Sequence, residues 1–97
     1  MTEFHLTVST PNGHAARLSA IRLTLRGALG DMAILADHAP IMTAILPGEC
    51  HITAVDGNVR IGRTESGILS VWKNKVTLLT ERFSWQEEAS DTDPFTE

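Results

Sequence analysis

The sequence predicts an all-β chain: a flattened β-sandwich or barrel of short antiparallel strands, followed by a disordered acidic C-terminal tail. Three observations predict it. Several stretches alternate apolar with polar residues, the period of a strand with one buried face. These strand-sized runs return every ~8–12 residues with turn residues between them, the spacing of a sandwich or barrel. No window of helical length keeps apolar residues at i, i+3, i+4 and i+7.

In chain order, Phe4, Leu6 and Val8 alternate with His5, Thr7 and Ser9. Pro11-Asn12-Gly13 then supplies a turn. Gly13 to Arg17 has the composition to start a helix, but the strand pattern that follows overrides it: Ile21, Leu23 and Leu25 alternate with Arg22, Thr24 and Arg26. The stretch that organises the chain is Leu29 to Gly48, LGDMAILADHAPIMTAILPG. Gly30 and Asp31 read as a turn, Met32 to Leu35 as a short strand, and Asp37-His38-Ala39-Pro40 as a polar corner. Pro40 drives Ala39 toward extended geometry. Ile41 to Leu46 is a second apolar run, and Pro47-Gly48 ends it. Cys50, Ile52 and Ala54 share one face of the next strand; Glu49, His51 and Thr53 share the other. Asp56-Gly57-Asn58 reads as a hairpin turn, since Gly and Asn accept positive φ. Val59 and Ile61 begin the return strand. Gly67 opens Ile68 to Trp72, and Lys73-Asn74 turns the chain into Val76 to Glu81.

At 97 residues the chain is one domain. The body spans residues 1–86, and the tail spans 87–97. The net charge of −4 misleads as a global number. The tail holds Glu87, Glu88, Asp91, Asp93 and Glu97 and no basic residue, which leaves seven acids against eight Lys and Arg in the body. A near-neutral body argues against a nucleic-acid binder, which needs a concentrated basic face. The apolar runs are far shorter than the ~18 residues of a membrane span. No basic start leads into an apolar block, so no secretory signal is visible. The single cysteine, Cys50, excludes an internal disulfide and fits a reducing compartment.

The polar residues suggest no catalytic set. Cys50 and His51 are strand neighbours and point to opposite faces, so they cannot share a proton; Cys50 reads as a small buried residue. His5, His14, His38 and His51 lack the paired spacing of a zinc site. No glycine-rich phosphate loop is present. We therefore expect no catalytic residue, no metal and no cofactor. Asp31 and His38 bracket the Met32–Leu35 run and admit two readings. One is turn chemistry, with Asp31 capping a glycine turn and His38 bonding a loop carbonyl. The other is a contact surface on a protruding loop. Trp72 and Trp85 suit sites with an apolar body and a polar edge; at a strand end, Trp72 reads as core rim.

Two separated stretches carry a family resemblance. Gly30-Asp31, an apolar run, His38-Ala39-Pro40, a second apolar run and Pro47-Gly48 resemble a signature of the epsilon subunit of F-type ATP synthases. Ser66-Gly67-Ile68-Leu69-Ser70-Val71, then Asn74-Lys75-Val76-Thr77-Leu78-Leu79, is similar to that family's second signature. The resemblance covers Phe4 to about Arg82. It implies a flattened β-sandwich in the rotating central stalk, a rotor subunit peripheral to the cell membrane on its cytoplasmic face. Such a subunit touches the membrane only through the complex. Its partners would be the gamma subunit and the c-ring, and it would couple them during proton-driven ATP synthesis without catalysing a step. By position, Gly30 and Asp31 match the loop that touches the c-ring, with Asp in place of the usual Glu. Thr10, His38 and Thr43 match positions that face gamma.

The chain also departs from that pattern. Ala36-Asp37 replaces the usual Pro-Gly before His38, and Glu65-Ser66-Gly67 keeps part of the usual Ser-Gly-Gly. The sequence stops about where the family's C-terminal helical hairpin begins, so the resemblance implies coupling without that latch or its ATP sensing. The rival reading is a free-standing β-sandwich that binds another protein.

Overall fold

The structure, a computed structural model, describes residues 3–86. The tail expected to be disordered lies outside the described residues. Nine strands form one sheet: β1 (Phe4–Thr10), β2 (Gly13–Gly27), β3 (Gly30–Leu35), β4 (Ile41–Ile45), β5 (Gly48–Ala54), β6 (Val59–Thr64), β7 (Gly67–Trp72), β8 (Lys75–Thr80) and β9 (Phe83–Trp85). There is no helix among the described residues. The all-β architecture is the one expected.

The sheet closes on itself through β2. Its path runs β1-β8-β7-β4-β2-β5-β6-β9, with β3 paired to β2 and β1 also paired to β2. β2 is 15 residues long and serves both halves of the fold. Its first part pairs with β1, and its second part pairs with β3 on one side and β5 on the other. The register shifts between Ala20 and Arg22, an irregularity of the kind that bends a strand from one layer to the next. Gly13 to Arg17, where the local sequence would allow a helix, is the start of this strand, because Gly13, His14, Ala16 and Arg17 all pair with β1. A single pair, Gly27 with Ile45, ties β2 to β4.

The expected alternation places the core. Phe4, Leu6 and Val8 of β1, Leu23 and Leu25 of β2, Ile34 of β3 and Cys50 and Ile52 of β5 are buried, with Leu69, Val71, Val76 and Leu78 from β7 and β8. At about 25 cal/mol per Å² of apolar surface, this burial is the main force holding so small a domain. Glycine closes two tight places. A side chain on Gly67 would strike the Leu79 carbonyl, and one on Gly62 would meet the Phe83 ring. The Lys73-Asn74 turn has both residues at positive φ, 49° and 61°, the pattern of a two-residue hairpin turn matched to sheet twist.

Two expectations are corrected, and one strand is added. The turn before β3 is Ala28-Leu29; Gly30 and Asp31 belong to the strand, opposite Gly27 and Arg26. Gly30 takes φ 131°, so the glycine that suggested a turn instead starts the returning strand. Trp72 is 56% exposed and not a core-rim residue. Finally, Phe83–Trp85 forms a ninth strand against β6. Three residues are too few to show a period, and Phe83 and Trp85 pack edge to face at 5.0 Å beside the core.

Candidate functional site

The strand register assembles one outer face that carries exposed apolar side chains among uncharged polar ones. Met42 of β4 lies level with Ser70, Thr77 and Thr7. In the next row, Ala44 lies level with Ile68, Leu79 and Ser9. Neither row contains a charge. Met42 is 74% exposed, Leu79 49% and Ile68 45%. Trp72 extends the face at the end of β7, with the Lys73 ammonium 5.3 Å from its ring centroid. Large exposed apolar side chains grouped on a charge-free face make it a candidate protein contact, since scattered ones would need no explanation.

Thr10 and His38 stand at opposite ends of that face. Thr10 lines a groove with Leu46, Ile68 and Leu79. Its hydroxyl donates to the Gly13 carbonyl and accepts from the Asn12 N–H, both at 3.3 Å, so it also holds the first turn. His38 lines a second groove with Pro40, Trp72 and Lys73. Its Nδ1 lies 2.7 Å from the Ala39 carbonyl. A carbonyl only accepts, so Nδ1 carries a proton in this contact. The turn-chemistry reading of His38 therefore holds, and one ring nitrogen is still left for a partner. Thr43 sits apart from both: it pairs with buried Leu69, on the strand side opposite Met42 and Ala44, and is half-buried.

Gly30 and Asp31 lie on a different surface. The Asp31 carboxylate is 3.9 Å from Arg26 Nε across the β2–β3 hairpin, and both side chains are largely exposed. An exposed pair that long contributes little to stability. Beside it the Leu29 side chain is fully exposed at the hairpin tip. Asp31 shares a shallow depression with Arg26, Glu49, His51 and Arg63. There Glu49 accepts from His51 at 3.2 Å and pairs with Arg63 at 3.6 Å. Of the five residues singled out from sequence, Thr10 and His38 thus flank the outer face, Gly30 and Asp31 lie on a charged surface, and Thr43 belongs to neither.

The sequence reading missed Met42, Ile68 and Leu79. A signal for them was present. Ile68-Leu69, Val71-Trp72 and Leu78-Leu79 are adjacent apolar pairs, and neighbours on a strand point to opposite faces. A strand with only one face in the core has no need of such pairs.

Cys50 has no partner for nucleophilic chemistry. It is buried while His51 on the opposite face is exposed, and burial pushes its thiol up to about 11 from 9.0. A folded value above the unfolded one means that folding retains the proton. Stability from this group is complete below pH 9 and falls as pH rises toward 11, by roughly 2–3 kcal/mol in all. Denaturant titrations at pH 7, 9 and 11 should show this fall, and a Cys50→Ala chain should show less of it. Among the described residues, no three His, Cys, Asp or Glu side chains gather where a metal ion would sit.

Fold and surface together define a small all-β sandwich domain, with one charge-free face of exposed apolar side chains and a separate charged surface. Comparison with known proteins narrows this. Residues 3–86 match the family described as ATP synthase, Delta/Epsilon chain, beta-sandwich domain. The ATP synthase epsilon chain of Clostridium perfringens is 31% identical over 91 residues, covering 94% of this chain and 68% of that one. The epsilon chain of Caldicellulosiruptor bescii is 34% identical over 88 residues, covering 91% of this chain and 64% of that one. In fold, the chain is similar to a chain of the Euglena gracilis mitochondrial ATP synthase, in a structure of its OSCP, F1 and c-ring, with a TM-score of 0.81 at 18% identity. That match covers 94% of this chain and 56% of the other. This chain belongs to the ATP synthase delta/epsilon beta-sandwich family.

Proposed function

We propose that this chain works as a non-catalytic central-stalk subunit of an F-type ATP synthase, fixing the gamma subunit to the c-ring at the cytoplasmic face of the membrane. The observation that carries the reading is the charge-free outer sheet face that exposes Met42, Ile68 and Leu79. Gamma docks there, with Thr10 and His38 at the two ends, and most of its affinity comes from apolar burial. Thr43 acts from the inward side by supporting the strand that carries Met42. The Gly30–Asp31 edge meets polar loops of the c-ring, where a rim carboxylate gives orientation more than affinity. Torque then passes through two contacts on one rigid sandwich.

Mixing the chain with a gamma subunit tests this: the two should leave a sizing column as one complex. Pull-down from detergent-solubilised membranes should recover stalk and ring subunits. Recovery of other proteins without them would favour a free-standing binding module and count against the stalk. Asp31→Lys should uncouple ATP synthesis in reconstituted vesicles while leaving the melting temperature close to that of the wild type, because the Asp31–Arg26 pair is long and exposed. Parallel losses in coupling and melting temperature would instead make Asp31 a folding residue.

A further inference from the structure

The non-glycine residues at positive φ among the described residues are Asp37, Lys73 and Asn74, and all three occupy one corner. Asp37 has φ 64° and Asn74 61°. Each such residue costs on the order of 1 kcal/mol, and strain of this kind persists only where the surroundings impose it. Here the two residues impose it on each other. The Asp37 N–H donates to Asn74 Oδ1 at 2.6 Å, and Asn74 Nδ2 donates to Asp37 Oδ1 at 3.0 Å. The Asn74 carbonyl also accepts from the His5 N–H at 2.8 Å, which anchors the turn to β1. This paired contact spans 37 positions in sequence and joins the β3–β4 corner to the β7–β8 turn. The residues next to it are His38 on one side and Trp72 and Lys73 on the other, which line one groove.

We infer that the Asp37–Asn74 clasp is a positioning device for docking: it sets His38 and Trp72 at a fixed separation and so pre-shapes one end of the partner face. The inference rests on the docking reading above and extends it to residues outside the apolar face. Asp37 stands where the resemblance leads one to expect glycine. Glycine would reach the same φ freely and keep the N–H bond to Asn74, but it would lose the second bond, from Asn74 Nδ2. Asp holds the conformation and closes the clasp. A corner ordered before contact loses less entropy on binding.

The test uses the full chain with three single variants, Asp37→Gly, Asn74→Gly and Asp37→Asn, and the double glycine variant. Glycine keeps positive φ accessible at either position, so the fold tolerates it, and Asn at 37 keeps the acceptor oxygen. Amide hydrogen exchange on the chain alone reads the clasp. The residue 37 and His38 amides should exchange faster in Asn74→Gly, which removes both bonds, less so in Asp37→Gly, which removes one, and not in Asp37→Asn; unchanged exchange in Asn74→Gly overturns the clasp. Affinity for the gamma subunit reads the positioning. Each glycine variant should bind about five- to tenfold more weakly, the scale of one net hydrogen bond. The double variant should bind no worse than Asn74→Gly, which already lacks both bonds, and Asp37→Asn should bind as the wild type does. Faster exchange with wild-type affinity, or single losses that multiply in the double variant, overturns the positioning role. A wild-type chain that does not bind gamma overturns the stalk reading and the docking role together, while exchange still reports separately on the clasp.

Discussion

Trp72→Ala should weaken binding to the gamma subunit by roughly 30-fold or more, the loss typical of an aromatic hot spot. The same change should leave the melting temperature within about 4 °C of the wild type, because a surface substitution costs little folding energy. Trp72 is 56% exposed, so its contribution to the core is limited. What it adds to a complex is a large rigid surface at the end of the apolar face, with a cation from Lys73 already beside the ring. Calorimetric titration of gamma into both chains, paired with thermal melts, measures the two effects separately. If Trp72→Ala bound gamma with undiminished affinity, the β4–β7–β8 face would not be the docking surface.

Leu23→Asp should abolish cooperative unfolding. Leu23 is fully buried, and so are its cross-strand neighbours Ile34 and Ile52. A carboxylate placed among them has no donor to meet and no route to water. Burying it unpaired costs several kcal/mol, and lost packing adds to that. Domains of this kind are held by about 5–15 kcal/mol, so the sum reaches the whole of a modest stability. Leu23→Ala serves as the milder control: it should lose about 2–5 kcal/mol and still melt cooperatively. Circular dichroism and a urea titration suffice to compare the three chains. A wild-type melt for Leu23→Asp would mean that β2 does not lie at the centre of the core.

These two residues also mark how far the fold and the site could be read in advance. Leu23 was legible because alternation with Arg22 and Thr24 depends only on local geometry. Met42 and Leu79 were legible only as members of adjacent apolar pairs, because knowing that a residue points outward from its sheet does not say whether that sheet is covered. Asp31 illustrates an intermediate case. Its exposure follows from its charge, but its place opposite Arg26, within a strand and not in a turn, depends on where Ala28 and Leu29 reverse the chain. Thr43 shows the converse. A position matched by resemblance is placed on a strand, and only register decides that it pairs with buried Leu69.

The amino-acid order alone determined the β class, the inner faces and most turns, since period-two alternation and positive-φ residues act over a few neighbours. The two signatures also carried the family. Tertiary structure alone decided which outer face stays apolar and open, and that Asp37 meets Asn74. Those outcomes depend on pairing between strands far apart in the chain, such as parallel β1 with β8, and no local pattern encodes which distant strand will supply the partner.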